Sequence, residues 1–534
     1  MKKISLIFTR NVHDNQRVYN APRTLDDVAI VYVADRDGNI PAQLDFAVHP
    51  SDSNTLKRIN MLSKHLDPMT FPLFFPNGDF GWITHLSHNM DHATEKRNKV
   101  TILEFYSNKI GIHRNHFNPL FYGGKLFQQY LVYVYARYEA NRMTYVRNNQ
   151  KTLHVESYKG LLDHVNNMSR DNNARIGNIF ILPSSFVGGL RFMSKLYQDN
   201  MAMVRKFGRP DLFITFTCNP KWKEIKSELQ SFQNSSDRPD LVTQVFRLKL
   251  KEFLDDIVKR KIFGEILAYV YVIEHQKRGL PHAHCLFTLS NQDKIKTSDD
   301  VDNIISAELP NRHEQPELYN VILTHNIHGP CGRLNPNSIC MIDGSCSKNF
   351  PKAFCSETDV STDGYPIYRR RNNSHEAHFT RSNIQVDNRF VVPYNSFLSL
   401  KYNAHINVEL CSTVKAIKYI NKYITKGYNC ARIGIQVNSN DNVERVVDYD
   451  EIKQYLNCRY ISSQEAAWHL QDFPIHGQSY SVVMLSIHLK DGQSIFFQEN
   501  EAESVLRRES VACMTLTAYF DLNISDSSAH QYLY

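Results

Sequence analysis

The stretch AYVYVIEHQKRGLPHAHCLFTL, Ala268 to Leu289, decides how the rest of the chain is read. Two apolar, β-branched runs flank a polar turn from Gln276 to Pro281. The spacing predicts buried strands over Ile266–Glu274 and His282–Leu289, paired as a hairpin. Strand side chains alternate between faces, so His282 and His284 share one face and Ala283 takes the other. Two imidazoles about 7 Å apart along a strand can grip one metal ion. Glu274 closes the partner strand and is within reach as a third ligand. An isolated H-x-H is more often a pair of satisfied surface histidines. Here a carboxylate ends the preceding strand and a hairpin fixes the geometry, which shifts the balance toward a metal site.

The pattern on either side extends the fold. Leu212–Thr217 reads as a strand, ending in Cys218-Asn219-Pro220. An amphipathic helix follows, with Val242, Phe246, Leu250, Phe253 and Ile257 on one face. A strand, a helix and then an antiparallel pair is the opening of a split βαβ sheet of ferredoxin-like type, so the expected class is α+β. Upstream, a long helix after Gly123-Gly124 carries Phe127, Tyr130, Leu131, Val134 and Tyr138 at helical spacing, with Arg137, Arg142 and Arg147 off that stripe. More helix runs to Phe207, stopped by Gly208 and Pro210. The expected division is an N-terminal α+β region over 1–100, a helical region over 101–208, a core over 209–430 with a Cys/His-rich insertion at 309–371, and a C-terminal α+β extension over 431–534. Within these, Val28–Val33 reads as a strand and His88–Lys99 as a polar loop. Val437–Asp450 also reads as a loop. Ser462 and Glu465 form a capping box for a short helix through Trp468, and Val482–Leu489 with Ser494–Phe497 reads as a hairpin.

Bulk composition narrows the classes. The 534 residues are 42% hydrophobic and 22% charged, which suits a globular chain of more than one domain. A net charge of +7 permits a nucleic-acid partner without demanding one. No apolar run is long enough to cross a bilayer. The opening MKKISLIFTR is spoiled as a signal peptide by Arg10 and the polar NVHDNQ after it. No G-x-x-x-x-G-K-[ST] loop is present, so phosphate cradling of that kind is not expected. The 10 cysteines are too sparse for a disulfide scaffold and read as reduced thiols.

Two further clusters carry chemistry. In the otherwise irregular Leu309–Arg371, His325, His328, Cys331, Cys340 and Cys346 read H-x2-H-x2-C-x8-C-x5-C. Gly, Pro and Asn fill the gaps, as a metal-stapled loop with little core of its own requires. The chosen structural zinc ligands are His328, Cys331, Cys340 and Cys346, with His325 as the alternative histidine and Cys355 set aside. The plainer reading is a loop with free thiols. The second cluster is STVKAIKYINKYITKG, Ser412 to Gly427, a helix with Val414, Ile417, Ile420 and Ile424 on its buried face. Tyr419 and Tyr423 stack about 6 Å apart along it, among Lys415, Lys418, Lys422 and Lys426. A lone Y-x3-Y is more often two half-buried tyrosines beside a lysine stripe. Beside a two-histidine metal site the pair gains a use. A divalent ion polarises a phosphoryl oxygen. A phenolate, favoured by nearby cations, attacks a DNA phosphodiester and keeps the bond energy as phosphotyrosine. Two tyrosines allow two successive transfers, and the basic balance suits a single strand.

The chain resembles the replication-initiator (Rep) endonuclease part of Helitron rolling-circle transposases, members of the HUH endonuclease superfamily. The residues that carry the likeness are FITFTCNPKWKEI (Phe213 to Ile225), EHQKRGLPHAHCLF (Glu274 to Phe287) and KYINKYITKG (Lys418 to Gly427). The resemblance implies metal-dependent nicking and joining of single-stranded DNA, with a 5′-phosphotyrosine intermediate, a released 3′-hydroxyl and a nuclear location. By position, His282 and His284 bind Mg²⁺ or Mn²⁺ with Glu274 as third ligand or Gln276 as its substitute. Gln276 and Asn219 are candidates for holding metal or substrate. Tyr419 and Tyr423 are the nucleophiles, and Lys418, Lys422 and Lys426 meet DNA phosphate. Complete family members continue into a helicase module, so unwinding is expected from a helicase supplied in trans. The competing expectation is a catalytically inactive or domesticated DNA-binding remnant. A zinc hydrolase using the H-x-H pair fits poorly, since it leaves the tyrosines without a role.

Overall fold

The alternating runs between 212 and 289 become the centre of an antiparallel sheet in the computed structural model. It describes residues 57–88, 98–150 (apart from 114–115), 175–275, 279–411 (apart from 330, 334, 337, 339, 361–365, 374–376 and 379–384), 433–434, 446–487 (apart from 457–458, 484 and 486) and 515–532, with the strands Ile7–Phe8, Ala29–Val31 and Phe46–Val48. The elements that position the site are, in chain order, α1 (Lys125–Asn148), α2 (Leu190–Phe207), β1 (Leu212–Thr217), α3 (Pro239–Val258), β2 (Ile266–His275), β3 (Pro281–Leu289), α4 (Pro316–His325), α5 (Ser396–Tyr402), β4 (Ile406–Leu410), α6 (Ser463–Leu470) and β5 (His476–Gln478). The five-stranded sheet has the order β4-β1-β3-β2-β5, and every neighbouring pair is antiparallel.

The period-2 pattern of the strands and the 3.6 pattern of α3 decide how the layers meet. Ile214, Phe216, Ile273, Ala283, Cys285, Ile406 and Val408 point from four strands into one core with Val242, Phe246, Leu250, Phe253 and Ile257 of α3. The Phe216 and Phe253 rings stack there at 4.8 Å and 7°. On the opposite face, Leu196 and Met203 of α2 pack with Phe213, Val270, Val272, Leu286 and Cys411. The rest of that face is polar and carries the site.

The approach to β4 is held by a staple between α3 and α5. Burial alone would raise the Asp256 carboxyl, but hydrogen bonds from Lys401, Tyr402 and Arg260 hold it below its ordinary range. Asn403 then takes a left-handed conformation (φ 43°), which asparagine tolerates, and turns the chain toward β4.

A second core joins segments far apart in sequence: Phe71, Tyr106, Tyr130, Leu131 and Val134 pack with Ile461, Ala466 and Leu470. Tyr460–Ser462 pairs antiparallel with Ala29–Val31, inside the strand read at Val28–Val33. The Ser462 hydroxyl caps α6 by accepting from the Glu465 amide.

Three local expectations change. Val446–Asp450 is not a loop but a strand, parallel to Arg175–Phe180; that ladder is non-local, and its partner lies beyond any sequence window. The insertion at 309–371 is not wholly irregular, because Pro316 at the first turn opens α4 and Leu318, Ile322 and Leu323 bury one of its faces. Arg137, read as lying off the apolar stripe of its helix, is in the core all the same. It is fully buried, donating to the Met61 carbonyl at 2.7 Å and the Tyr106 hydroxyl at 2.6 Å and pairing with buried Asp67. Arg137→Met is expected to cost about 3–5 kcal/mol, because it strands the Asp67 carboxylate in the core. The check is a lowered urea midpoint at unchanged slope. The hairpin read at 482–497 lies largely outside the described residues.

Candidate functional site

Residues directly opposed in neighbouring antiparallel strands share a face. The register sets His405, Thr217, His282 and Glu274 in one rank across β4, β1, β3 and β2. The next rank is Asn407, Thr215, His284 and Val272. Both ranks face away from α3, since Phe216, Ile273, Ala283 and Ile406 point toward it. The two histidines of H-x-H therefore share the polar face, as the alternation predicts.

Each imidazole is held by a threonine of the neighbouring strand. Thr217 Oγ1 lies 2.7 Å from His282 Nδ1, and Thr215 Oγ1 lies 3.1 Å from His284 Nδ1. Such bonds fix ring orientation and leave Nε2 as the working nitrogen. His284 Nε2 is 3.2 Å from Glu274 Oε2, and its ring stacks on Phe213 at 5.8 Å and 13°. Burial pushes the His282 imidazole well below its ordinary pKa, so it is neutral, the form that binds metal. His284 and Glu274 meet. His282, with its Nδ1 on Thr217, does not join them in one three-way convergence: among the described residues a single cluster of three or more His, Cys, Asp or Glu has ligand atoms that close, and it is a different one.

That cluster is His328, Cys331, Cys340 and Cys346, whose ligand atoms all lie within 4.8 Å of one another. These are the four residues chosen from the sequence. His328 follows α4, its amide donates to the Phe390 carbonyl at 2.8 Å, and its ring stacks on Phe350 at 4.1 Å. Cys346 ends the small hairpin Met341–Ile342 with Ser345–Cys346. Asp343 and Gly344 form its turn with φ of 50° and 78°, the positive pair that a two-residue hairpin loop demands and Asp-Gly supplies. Cys346 Sγ lies 3.4 Å from His328 Nε2. Burial pushes the His328 imidazole down to about 4. Burial and bonds to the neighbouring thiols push Cys331 up to about 12, a proton that an incoming divalent cation displaces. Three sulfurs and one imidazole form a donor set suited to zinc. His325 sits elsewhere, with Nε2 3.1 Å from Asn403 Oδ1, and Cys355 donates to the Glu357 carbonyl.

A cavity of about 820 Å³ separates the polar sheet face from this cluster. Thr215, His284, His405 and Asn407 line its floor, and His328, Lys348 and Lys352 its roof. Asn219 lies in the turn after β1, where its amide donates to the Asn403 carbonyl at 2.6 Å and its oxygen accepts from the Lys221 amide. Gln276, Lys418, Tyr419, Lys422, Tyr423 and Lys426 lie outside the described residues.

Sequence reasoning missed Thr215, Thr217 and His405. The signal was present: FITFT and HINVEL both alternate polar and apolar residues, so their polar members share a face. His405 donates Nδ1–H to the His325 carbonyl at 2.7 Å, which ties the rank to the end of α4. No helix among the described residues is long and apolar enough to cross a membrane.

Residues 105–287 match the family model described as the Helitron helicase-like domain at the N-terminus. The match runs through α1, β1 and α3 to the hairpin and includes Glu274, His282 and His284. No curated protein matches the chain. The chain thus carries a Helitron helicase-like domain of the N-terminal type, over residues 105–287.

Proposed function

We propose that the chain is an HUH-type endonuclease and strand transferase that nicks and rejoins single-stranded DNA in rolling-circle transposition. The single observation that carries this is the grouping of His282, His284 and Glu274 on one face of the paired strands β2 and β3, braced from β1 by Thr215 and Thr217. The strand order β4-β1-β3-β2, with α3 between β1 and β2 and α5 before β4, supports reading the sheet as a split βαβ core of ferredoxin-like type.

His282 and His284 through Nε2, and Glu274 through a carboxylate oxygen, would hold Mg²⁺ or Mn²⁺, with Gln276 as the alternative oxygen donor. Such an ion supplies Lewis-acid polarisation of a phosphoryl oxygen. The chain's own groups do the rest. Thr215 and Thr217 hold the rings in register, and burial keeps His282 neutral and ready to bind. The Tyr419 or Tyr423 phenolate oxygen attacks phosphorus, the bond from phosphorus to the 3′-oxygen breaks, and that oxygen takes up a proton as the free 3′-hydroxyl. The 5′-phosphate stays on the tyrosine. Lys418, Lys422 and Lys426 favour the phenolate and meet the DNA backbone. The site of action in this reading is the nucleus.

A second reading, DNA binding without cleavage, draws on the absence of His282 from the His284–Glu274 contact. One experiment separates the two. The protein is incubated with Mn²⁺ and a labelled single-stranded oligonucleotide, then run on a denaturing gel. Nuclease action gives a protein-linked 5′-phosphate fragment that fails to form without Mn²⁺. Retention without an adduct under native conditions supports the second reading, and cleavage without an adduct points to a water-using hydrolase.

A further inference from the structure

The cavity above His284 has an origin that the nuclease reading leaves unused. Its floor is the polar half of the sheet, and its roof is the segment that follows Cys346, from Ser347 to Ala353. That roof is fixed on two sides. The Cys/His cluster holds its start, and the Lys352 amide donates to the Arg389 carbonyl at 3.0 Å. Arg370 locks the wall behind it by donating to the carbonyls of Ala307, Asn388 and Val391. The hydrogen-bonded acceptors of that guanidinium are carbonyls, which leave its charge in place.

The charges in the groove are mostly positive. Lys348, Lys352 and Arg370 line it, against the single carboxylate Glu409. Glu409 lies in register with Phe213, two ranks away from the line of His405 and Thr217, so the acid sits at the end remote from His282. Its Oε1 accepts from the Asn407 amide at 2.9 Å. The Lys352 ammonium stands over the Phe350 ring at 5.1 Å, and that ring's other neighbour is His328, so the cation, the ring and the metal cluster form one stack. A polar floor with histidine and amide groups, cations overhead and an open run toward the histidine rank together match a strand with a phosphate at each step.

We propose that the segment Ser347–Lys352, held in place by the Cys/His cluster, closes the polar face of the sheet into a groove that grips single-stranded DNA by its phosphates through Lys348 and Lys352. The partner's identity rests on the nuclease reading; the geometry of the grip does not. In this arrangement a zinc ion held by His328, Cys331, Cys340 and Cys346 would act on DNA affinity without touching DNA, by fixing the start of the roof segment.

The test measures binding of a fluorescein-labelled oligodeoxythymidylate by full-length protein, by anisotropy, across a salt series with no added Mg²⁺ or Mn²⁺. Each phosphate contact on a single strand contributes about 0.7 to the slope of log K against log salt. Lys348→Ala/Lys352→Ala is expected to shallow the slope by about 1.4, or roughly 25-fold weaker binding at 0.1 M relative to 1 M. Zinc content should be unchanged, and Lys348→Arg/Lys352→Arg should restore the slope. An unchanged slope in a double-alanine variant that keeps its zinc overturns the proposal. Should that variant lose zinc or fail to fold, photocrosslinking of the wild type with an iododeoxyuridine oligonucleotide decides: crosslinks within 347–353 support the groove, and crosslinks confined to other segments overturn it. The two readings fail separately. A lysine-dependent slope without any Mn²⁺-dependent adduct keeps the groove and removes the nuclease; an adduct with an unchanged slope does the reverse.

Discussion

Phenylalanine at both 419 and 423 is expected to abolish the covalent DNA adduct, because it removes both oxygens assigned to the attack while leaving the rings in place. His284→Ala should slow adduct formation by more than about 100-fold, since outer partners of metal ligands already cost about 10–100-fold and the proposed nuclease makes this residue a ligand itself. The contrast that gives the result its meaning is Thr217→Val. Valine keeps the shape but not the hydroxyl 2.7 Å from His282 Nδ1, so the ring is free to turn. Its loss should fall in the range of about 10–100-fold and recover as Mn²⁺ is raised, because a weakened ligand set is filled by mass action. Single-turnover adduct formation against Mn²⁺ concentration reads all three variants. Equal rates for His284→Ala and the wild type would remove the histidine rank from the chemistry.

Stripping the metal from His328, Cys331, Cys340 and Cys346 should unfold the segment from 328 to 350 and leave the sheet intact. The reason lies in what that segment buries. Between 331 and 350, the buried side chains among the described residues are Cys331 and Cys346 alone. With almost no apolar area to bury, the coordination bonds must supply the stability, and for structural zinc in small modules that amounts to about 10–16 kcal/mol near neutral pH. The expected result on adding a strong chelator is release of about one zinc per chain. Thiols of Cys331, Cys340 and Cys346 should become titratable together, and a new protease-sensitive site should open within the segment. Thiols that titrate equally fast before and after chelation would show that no metal was holding them.

What could be read from the sequence follows the distance over which each feature is decided. The strands Leu212–Thr217, Ile266–His275 and Pro281–Leu289 were legible within a residue or two, because period-2 alternation is local. The five core positions of α3 were legible for the same reason. The convergence of His328, Cys331, Cys340 and Cys346 was legible because small turns bring soft ligands together over short loops, and the choice of His328 over His325 agrees with it. Arg137 was not legible: its helix stripe says nothing of Asp67, which folds back from 70 residues upstream to neutralise it. Thr215 and Thr217 read as ordinary β-formers until the register set them beside His284 and His282. Val446–Asp450 failed for the same reason, since its strand partner at 175–180 lies far back in the chain.

The order β4-β1-β3-β2 also fixes a timetable for synthesis. β1, β2 and β3 emerge together, but β4 follows Leu289 only after a further 116 residues, 290 to 405. At about 5–20 residues per second, that leaves the outer edge of FITFT without its final neighbour for roughly 6–23 s on the ribosome. An open, apolar strand edge is a template for pairing with any other extended chain. The long excursion that brings the cysteines and lysines over the histidines therefore also sets the interval in which a nascent molecule is most exposed to mispairing.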